Sequence, residues 1–209
     1  MRKDEIRSLI INNLRKYNVT EIYHPRFIDA AIEETINQML WELWSVDSLS
    51  IQRYVKRFGY LVPIAVSYEA STRLYYSILP TTIVPFRDKS SGVRRISTVI
   101  QGGVRFYPMD SREMDLIQNG SYVNTITSII GYSVTDRIEY YNMSAAIVTT
   151  GVRADLIVPF SVYTDAETVL LPEFKDDQNE TFADRVLKNL FKIPVADLYE
   201  NKTFEENKQ

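Results

Sequence analysis

The hydrophobic period of this chain changes near Gly59, and that change orders the parts of the fold. Upstream, apolar residues recur every three or four positions, the spacing of helices that bury one stripe. Downstream they come in short branched and aromatic runs bounded by Pro, Gly or small polar residues, which is how strands read. Helices in one block and strands in another predict an α+β fold, not alternating βαβ units.

The first predicted helix covers residues 4–16, with Ile6, Leu9, Ile10 and Leu14 on one side. The second begins at Pro25, a residue suited to a first helical turn. Ile28, Ala31, Ile32, Thr35, Ile36, Met39, Leu40, Leu43 and Trp44 form its apolar band, uninterrupted by Gly or Pro, and Asp29, Glu33, Asn37, Gln38 and Glu42 take the opposite side. Two such helices on a short link predict a helical hairpin, with a further helical turn between Leu49 and Phe58.

Past Gly59, strands are predicted at Leu61–Val66, Arg73–Leu79, Ile83–Phe86, Val93–Ile100, Val104–Tyr107, Ile138–Tyr141, Ala145–Thr150, Ala154–Phe160 and Val169–Leu171. Gln101-Gly102-Gly103 reads as a hairpin turn, and Met109–Asn119 as a short helix. A last helix starts after Asn179 or Thr181, its apolar side made of Phe182, Val186, Leu187, Leu190 and Phe191, and a polar arm trails it. The segmentation is therefore 1–58 helical, 59–175 strand-rich and packed on the helices, and 176–209 helix and extended arm, in one composite domain.

Composition removes most chemistry. There is no Cys and one His, His24, so thiol catalysis, iron–sulfur centres and Cys- or His-rich zinc sites within one chain are excluded. His24 sits at the entry to the long helix and reads as a cap-region residue. No Gly-x-Ser-x-Gly elbow or phosphate loop occurs. Asp110, Glu113 and Asp115 read as the acidic start of a helix, and Asp176, Asp177 and Glu180 as a charged loop. No apolar run is long enough to span a membrane, and the charged N-terminus does not read as a signal peptide. The expectation is a protein that is not an enzyme and that needs no metal or cofactor.

Two features point to partners. Arg87, Lys89, Arg94 and Arg95 form a basic cluster, whose adjacent Arg94 and Arg95 would face opposite sides of a strand. They read as a solvated hairpin edge, or as a contact with an acidic neighbour or with passing nucleic acid. In the arm, Leu198, Tyr199 and Phe204 are too sparse for a core but suffice as anchors on another surface. With 24 Lys and Arg against 27 Asp and Glu, the net charge of -3 does not suit a protein that coats nucleic acid along its whole surface.

The order of these parts resembles small head–tail connector (adaptor) proteins of tailed bacteriophages. The stretches that carry the resemblance are the Asp4-to-Leu14 helix, Pro25-Arg26-Phe27-Ile28-Asp29-Ala30-Ala31-Ile32, Arg73-Leu74-Tyr75-Tyr76-Ser77-Ile78-Leu79-Pro80, Gly92-Val93-Arg94-Arg95-Ile96 and Phe182–Leu190 with its polar arm. The middle is similar to versions from the crAss-like group. The resemblance implies a virion protein of the neck, made in the host cytoplasm. It would form a homo-oligomeric ring, commonly a dodecamer, on the portal protein and against other neck or tail rings, with double-stranded DNA passing through. In such a ring Arg87, Lys89, Arg94 and Arg95 would meet either the DNA channel or acidic residues of an adjacent subunit, such as Asp110, Asp115 and Glu139. Two alternatives stand beside it: another tail, neck-completion or baseplate protein, and a soluble β-rich ligand-binding module.

Overall fold

The computed structural model describes residues 1–16, 23–47, 49–84, 86, 92–99, 103–110, 113, 130–172 and 181–192. Its elements are α1 (Lys3–Lys16), α2 (Pro25–Val46), β1 (Lys56–Phe58), β2 (Ser67–Glu69), β3 (Leu74–Ile78), β4 (Val93–Thr98), β5 (Arg105–Pro108), β6 (Gly131–Val134), β7 (Arg137–Tyr141), α3 (Ala145–Thr150), β8 (Val152–Leu156) and α4 (Phe182–Phe191). Single 3₁₀ turns lie at Ser50–Arg53 and Phe160–Val162. The class is α+β, with helices at both ends of the chain and a mostly antiparallel sheet between them.

The chain divides into two compact units at boundaries other than those drawn from sequence. Met1–Tyr54 joins Pro159–Gln209 in one unit, and Val55–Val158 forms the other. The N- and C-terminal helical regions thus belong together.

In the helical unit, α1 buries Ile6, Ile10 and Leu14, α2 buries Ile28, Ala31, Ile32, Ile36, Met39 and Leu40, and α4 buries Val186, Leu187 and Leu190. α4 packs on both earlier helices, so the hairpin expected from α1 and α2 is in fact part of a three-helix arrangement. The starts of α2 and α4 are capped by side chains. His24 caps α2 by accepting from the Arg26 amide, and Thr181 caps α4 in a reciprocal box with Asp184.

The polar side of α2 is not a solvent face. Asp29 accepts two bonds from the Arg7 guanidinium at 2.6 Å each, and Arg7 also reaches Asp165 at 2.5 Å. Glu33 accepts from the Ser161 amide, Glu42 pairs with Arg185 at 2.9 Å, and Gln38 accepts from the buried Asn189. Asn189 also donates to Thr35 at 3.0 Å, so its amide is held inside the helical core. Lys3 is 5% exposed; its ammonium donates to the carbonyls of Ser161 and Tyr163 and lies 5.0 Å from the Phe160 ring centroid. An ammonium buried this far needs such acceptors.

The sheet has the strand order β1-β8-β4-β5-β6-β7-β3-β2. All pairs are antiparallel except β5–β6, and β5 gives its first half to β4 and its second to β6. Phe106 and Tyr140 meet edge to face, with centroids 5.7 Å apart, in a core that also buries Ile96, Tyr132, Ile138, Val152, Ala154 and Leu156. Leu156, Ile157, Val158 and Phe160 are all buried, and the strand ends before Pro159.

Several expected elements differ. Leu61–Val66 is no strand: Leu61 and Val62 stand in solvent, Pro63 lacks a donor, and only Ile64 exchanges backbone bonds with Val152. No strand forms at Ile83, Val84 or Phe86, with Pro85 outside the described residues, or over Val169–Leu171; the Val84 amide donates to the Ile157 carbonyl, and Val169 exchanges bonds with Met1. Instead of the helical turn running on to Phe58, the chain makes a 3₁₀ turn and then β1. Ala145–Thr150, expected as a strand, is the helix α3. The Ser144 carbonyl accepts from Ile147 and Val148, and Gly151 at φ 74 stops the turn. Strand propensity acts only where a neighbour offers a ladder, and here local bonds decide. A Cβ at residue 151 would come 2.7 Å from the Ile64 carbonyl oxygen, so Gly is required there by space as well as by φ. Most of the expected 109–119 helix, the Gly102 turn, the 176–179 loop and the C-terminal arm lie outside the described residues.

Leu40→Ala should cost about 2–5 kcal/mol in urea unfolding, whereas Glu34→Ala, at an exposed site, should change stability by less than about 0.5 kcal/mol. Asn189→Ala should cost about 1–3 kcal/mol, because Thr35 and Gln38 lose a buried partner.

Candidate interaction surfaces

Of the four basic residues singled out in sequence, Arg87 and Lys89 lie outside the described residues, as do Leu198, Tyr199 and Phe204 of the arm. Arg94 and Arg95 sit at a β-bulge: Val93 pairs with Leu156 and Arg95 with Asp155, so Arg94 is the extra residue. The bulge has a clear cause. Val93 and Ile96 are both buried although three apart, and strict alternation would send them to opposite faces. Inserting Arg94 brings both to the core and leaves Arg95 exposed. Arg94 is partly buried. Burial lowers its pKa from the usual arginine range, Tyr132 opposes this, and Arg105 adds to it.

Of the acidic residues considered as partners for these arginines, Asp110 and Glu139 are otherwise engaged. Asp110 and Glu113 form a reciprocal cap, each accepting from the other's amide at 2.8–3.0 Å. Glu139 joins Glu69 in flanking Arg137, whose guanidinium also lies 4.5 Å from the Tyr76 ring centroid. Bonds from Arg137 and Thr72 hold the Glu69 carboxyl below its ordinary pKa. Asp115 lies outside the described residues. Among the described residues no three His, Asp or Glu side chains converge as a metal site.

What the register does bring together is a row of arginines not legible as a cluster in sequence. Arg57 of β1 and Arg95 of β4 both stand opposite Asp155 of β8, so the three share one face. In the next row, Ser97 of β4 stands opposite both Arg153 of β8 and Arg105 of β5. Residues two apart on a strand point the same way, so all four arginines lie on the side away from Ile96, Ala154 and Phe106. Tyr60 lies over this face. Its ring centroid is 5.1 Å from the Arg153 guanidinium and 5.7 Å from that of Arg57, and its hydroxyl donates to Asp155 at 2.9 Å. Burial and the Asp155 contact raise the Tyr60 pKa, and the charges of Arg57 and Arg95 lower it in part. Arg153 reaches across to the carbonyls of Thr98 and Val99. The one sequence signal for this face is the alternation Val152-Arg153-Ala154-Asp155-Leu156, buried at every apolar position.

A second kind of surface is apolar. Trp41, Val46 and Leu49 are exposed in the helical unit, and Leu61 and Val62 in the sheet unit.

The buried Tyr132 hydroxyl gives a pH signature. Its pKa is pushed up to about 12 by burial, with Arg105 and Arg94 pulling it back, while an unfolded tyrosine titrates near pH ~10. Through that window the native state holds a proton that the unfolded chain has released. The stability is therefore full below pH ~10 and is lost as pH rises towards the folded value. In urea unfolding followed from pH 9 to 12, Tyr132→Phe should lose less stability than the parent chain.

No protein-family model, curated protein or solved structure matches the chain.

Proposed function

We propose that the chain is a structural subunit of a phage neck ring, connecting the portal vertex to the tail and enclosing part of the DNA path. The observation that carries this is the bulky apolar surface left in water. Leu61 is 99% exposed, Val46 83%, Val62 80% and Leu49 70%. Single exposed apolar residues are ordinary in monomers. Here each unit groups two of them within a few residues, which is what contact between copies would cover. When two different patches of one chain meet on neighbouring copies, the contact is heterologous, and it either closes into a ring or continues as a filament.

The neck position rests on the resemblance to head–tail connector proteins, which implies a ring stacked on the portal protein in the virion. Another tail or baseplate protein would assemble by the same logic and differ in its partner. A ligand-binding module would keep Leu61 and Val62 in solvent in its working state.

Electron microscopy of necks purified from virions carrying this chain should reveal a rotationally symmetric annulus containing it. A Leu61→Glu, Val62→Glu double variant should unfold within about 0.5 kcal/mol of the parent and be lost from purified necks. Necks without such an annulus, or full incorporation of the variant, would sink the proposal.

A further inference from the structure

We infer that the outer face of β1, β8, β4 and β5 is a binding site for the phosphate backbone of nucleic acid, without base preference. The inference goes beyond the ring reading and does not depend on it, because the face belongs to a single chain.

The argument starts from pairing. Every carboxylate among the described residues already has a partner: Arg2 holds Asp4 and Glu5, Arg7 holds Asp29 and Asp165, Arg137 holds Glu69 and Glu139, and the others hold caps, amides or further side-chain partners. On the outer face the balance is reversed. Among the described residues, Arg57, Arg95 and Arg105 are exposed and no carboxylate lies within ion-pair distance of them. Asp155 stands between Arg57 and Arg95 in the register, yet its hydrogen bond comes from Tyr60.

The geometry concentrates this charge. Neighbouring strands lie about 4.8 Å apart and alternate residues about 6.6 Å apart along a strand, so the backbone positions of Arg57, Arg95, Arg105 and Arg153 fit within a patch of about 15 Å. That is about two Debye lengths at physiological salt, where only neighbouring arginines reinforce one another. It is well within the Debye length of about 30 Å at about 0.01 M salt, where the four charges act on an approaching anion together.

All four residues are arginine. A guanidinium offers paired donors that match a phosphate in a way an ammonium does not. Tyr60 between Arg57 and Arg153 gives the face an aromatic plane. The strand positions on this face that could touch a ligand carry no Asn or Gln, the side chains that pair with adenine edges. Contacts would thus go to phosphates and be indifferent to sequence.

The charge of the chain is divided to match. Residues 55–158 hold 11 Lys and Arg against 8 Asp and Glu, a formal +3, while the rest hold 13 against 19, a formal -6. The competing occupant is an acidic segment of a second copy, for which residues 173–180 and 193–209 have the composition. The described carboxylates do not offer one, since docking them here would break the pairs they already make.

The test is fluorescence anisotropy of the full-length protein with labelled random-sequence duplex DNA across a salt series, with sedimentation velocity alongside. Binding should weaken with salt with a log–log slope of about -3, as expected for three to four phosphate contacts at about 0.9 each, and should be equal for unrelated sequences. Arg95→Ala with Arg105→Ala, both at exposed sites, should lower affinity about tenfold or more at low salt and reduce the slope by about 2. Arg95→Lys with Arg105→Lys should retain the slope, and Arg26→Ala on the helical unit should change nothing. Should the alanine pair prove poorly folded by circular dichroism, Arg95→Ala alone must still reduce the slope by about 1. No binding at low salt overturns the inference, as does a slope indifferent to the alanine substitutions. A wild-type self-association abolished by those substitutions, or by deleting residues 193–209, also overturns it, by assigning the face to a second copy. Failure here leaves the neck-ring proposal to its own test, since an annulus needs no contact at this face.

Discussion

The helical unit depends on Arg7. One guanidinium holds both oxygens of Asp29 on α2 and reaches Asp165 in the segment after Pro159. Three stretches far apart in sequence are thereby fixed to one planar group, with the geometry of a bidentate pair on one side. Lys3, four residues earlier, adds the carbonyls of Ser161 and Tyr163. Together they tie the start of the chain to residues 161–165, and α4 closes over the same helices. The apolar stripes of α1, α2 and α4 supply the bulk of the burial, and the cations set which segments meet.

That division explains what could be read from sequence. The band from Ile28 to Leu40 has helical spacing and no breaker, and α2 follows it, as α4 follows its capping residue Thr181. The polar side of α2 carries no comparable signal. Glu33, Gln38 and Glu42 look like solvated residues because pattern alone cannot distinguish water from a partner more than a hundred residues away, and Asp29 looks the same although Arg7 is only 22 positions before it. Arg185, Ser161 and Asn189 turn that side into an interface.

In the sheet, hydrophobic runs located β3, β4, β5 and β7 but not the register. Arg57 and Arg153 are almost a hundred positions apart, and only the pairing of β1 and β4 with β8 puts them on one face. The basic residues visible as a cluster are those near one another in sequence, Arg87, Lys89, Arg94 and Arg95; of these, the bulge separates the environments of Arg94 and Arg95. Leu61–Val66 and Ala145–Thr150 had strand composition without strand neighbours. One is left in solvent at its tip and the other winds into a short helix. In each case the missing information was tertiary: a ladder partner, or the lack of one.

The discontinuity of the helical unit has a consequence for how the protein is made. The sheet unit is one unbroken stretch, 55–158, and all of its pairing partners are available once that stretch has been synthesised. The helical unit is not so favoured. α1 and α2 are made before the sheet, but Ser161, Asp165, Arg185 and α4 are made after it. Until then the stripes that will contact α4 have no cover, and the carboxylates of Glu33 and Glu42 lack the Ser161 amide and the Arg185 guanidinium. Domains complete in sequence fold as they emerge, while an unfinished one exposes apolar surface for the length of the delay. For this chain that delay spans the synthesis of the entire sheet, so translation speed through residues 55–158 sets how long the nascent helices must be kept from one another on crowded ribosomes.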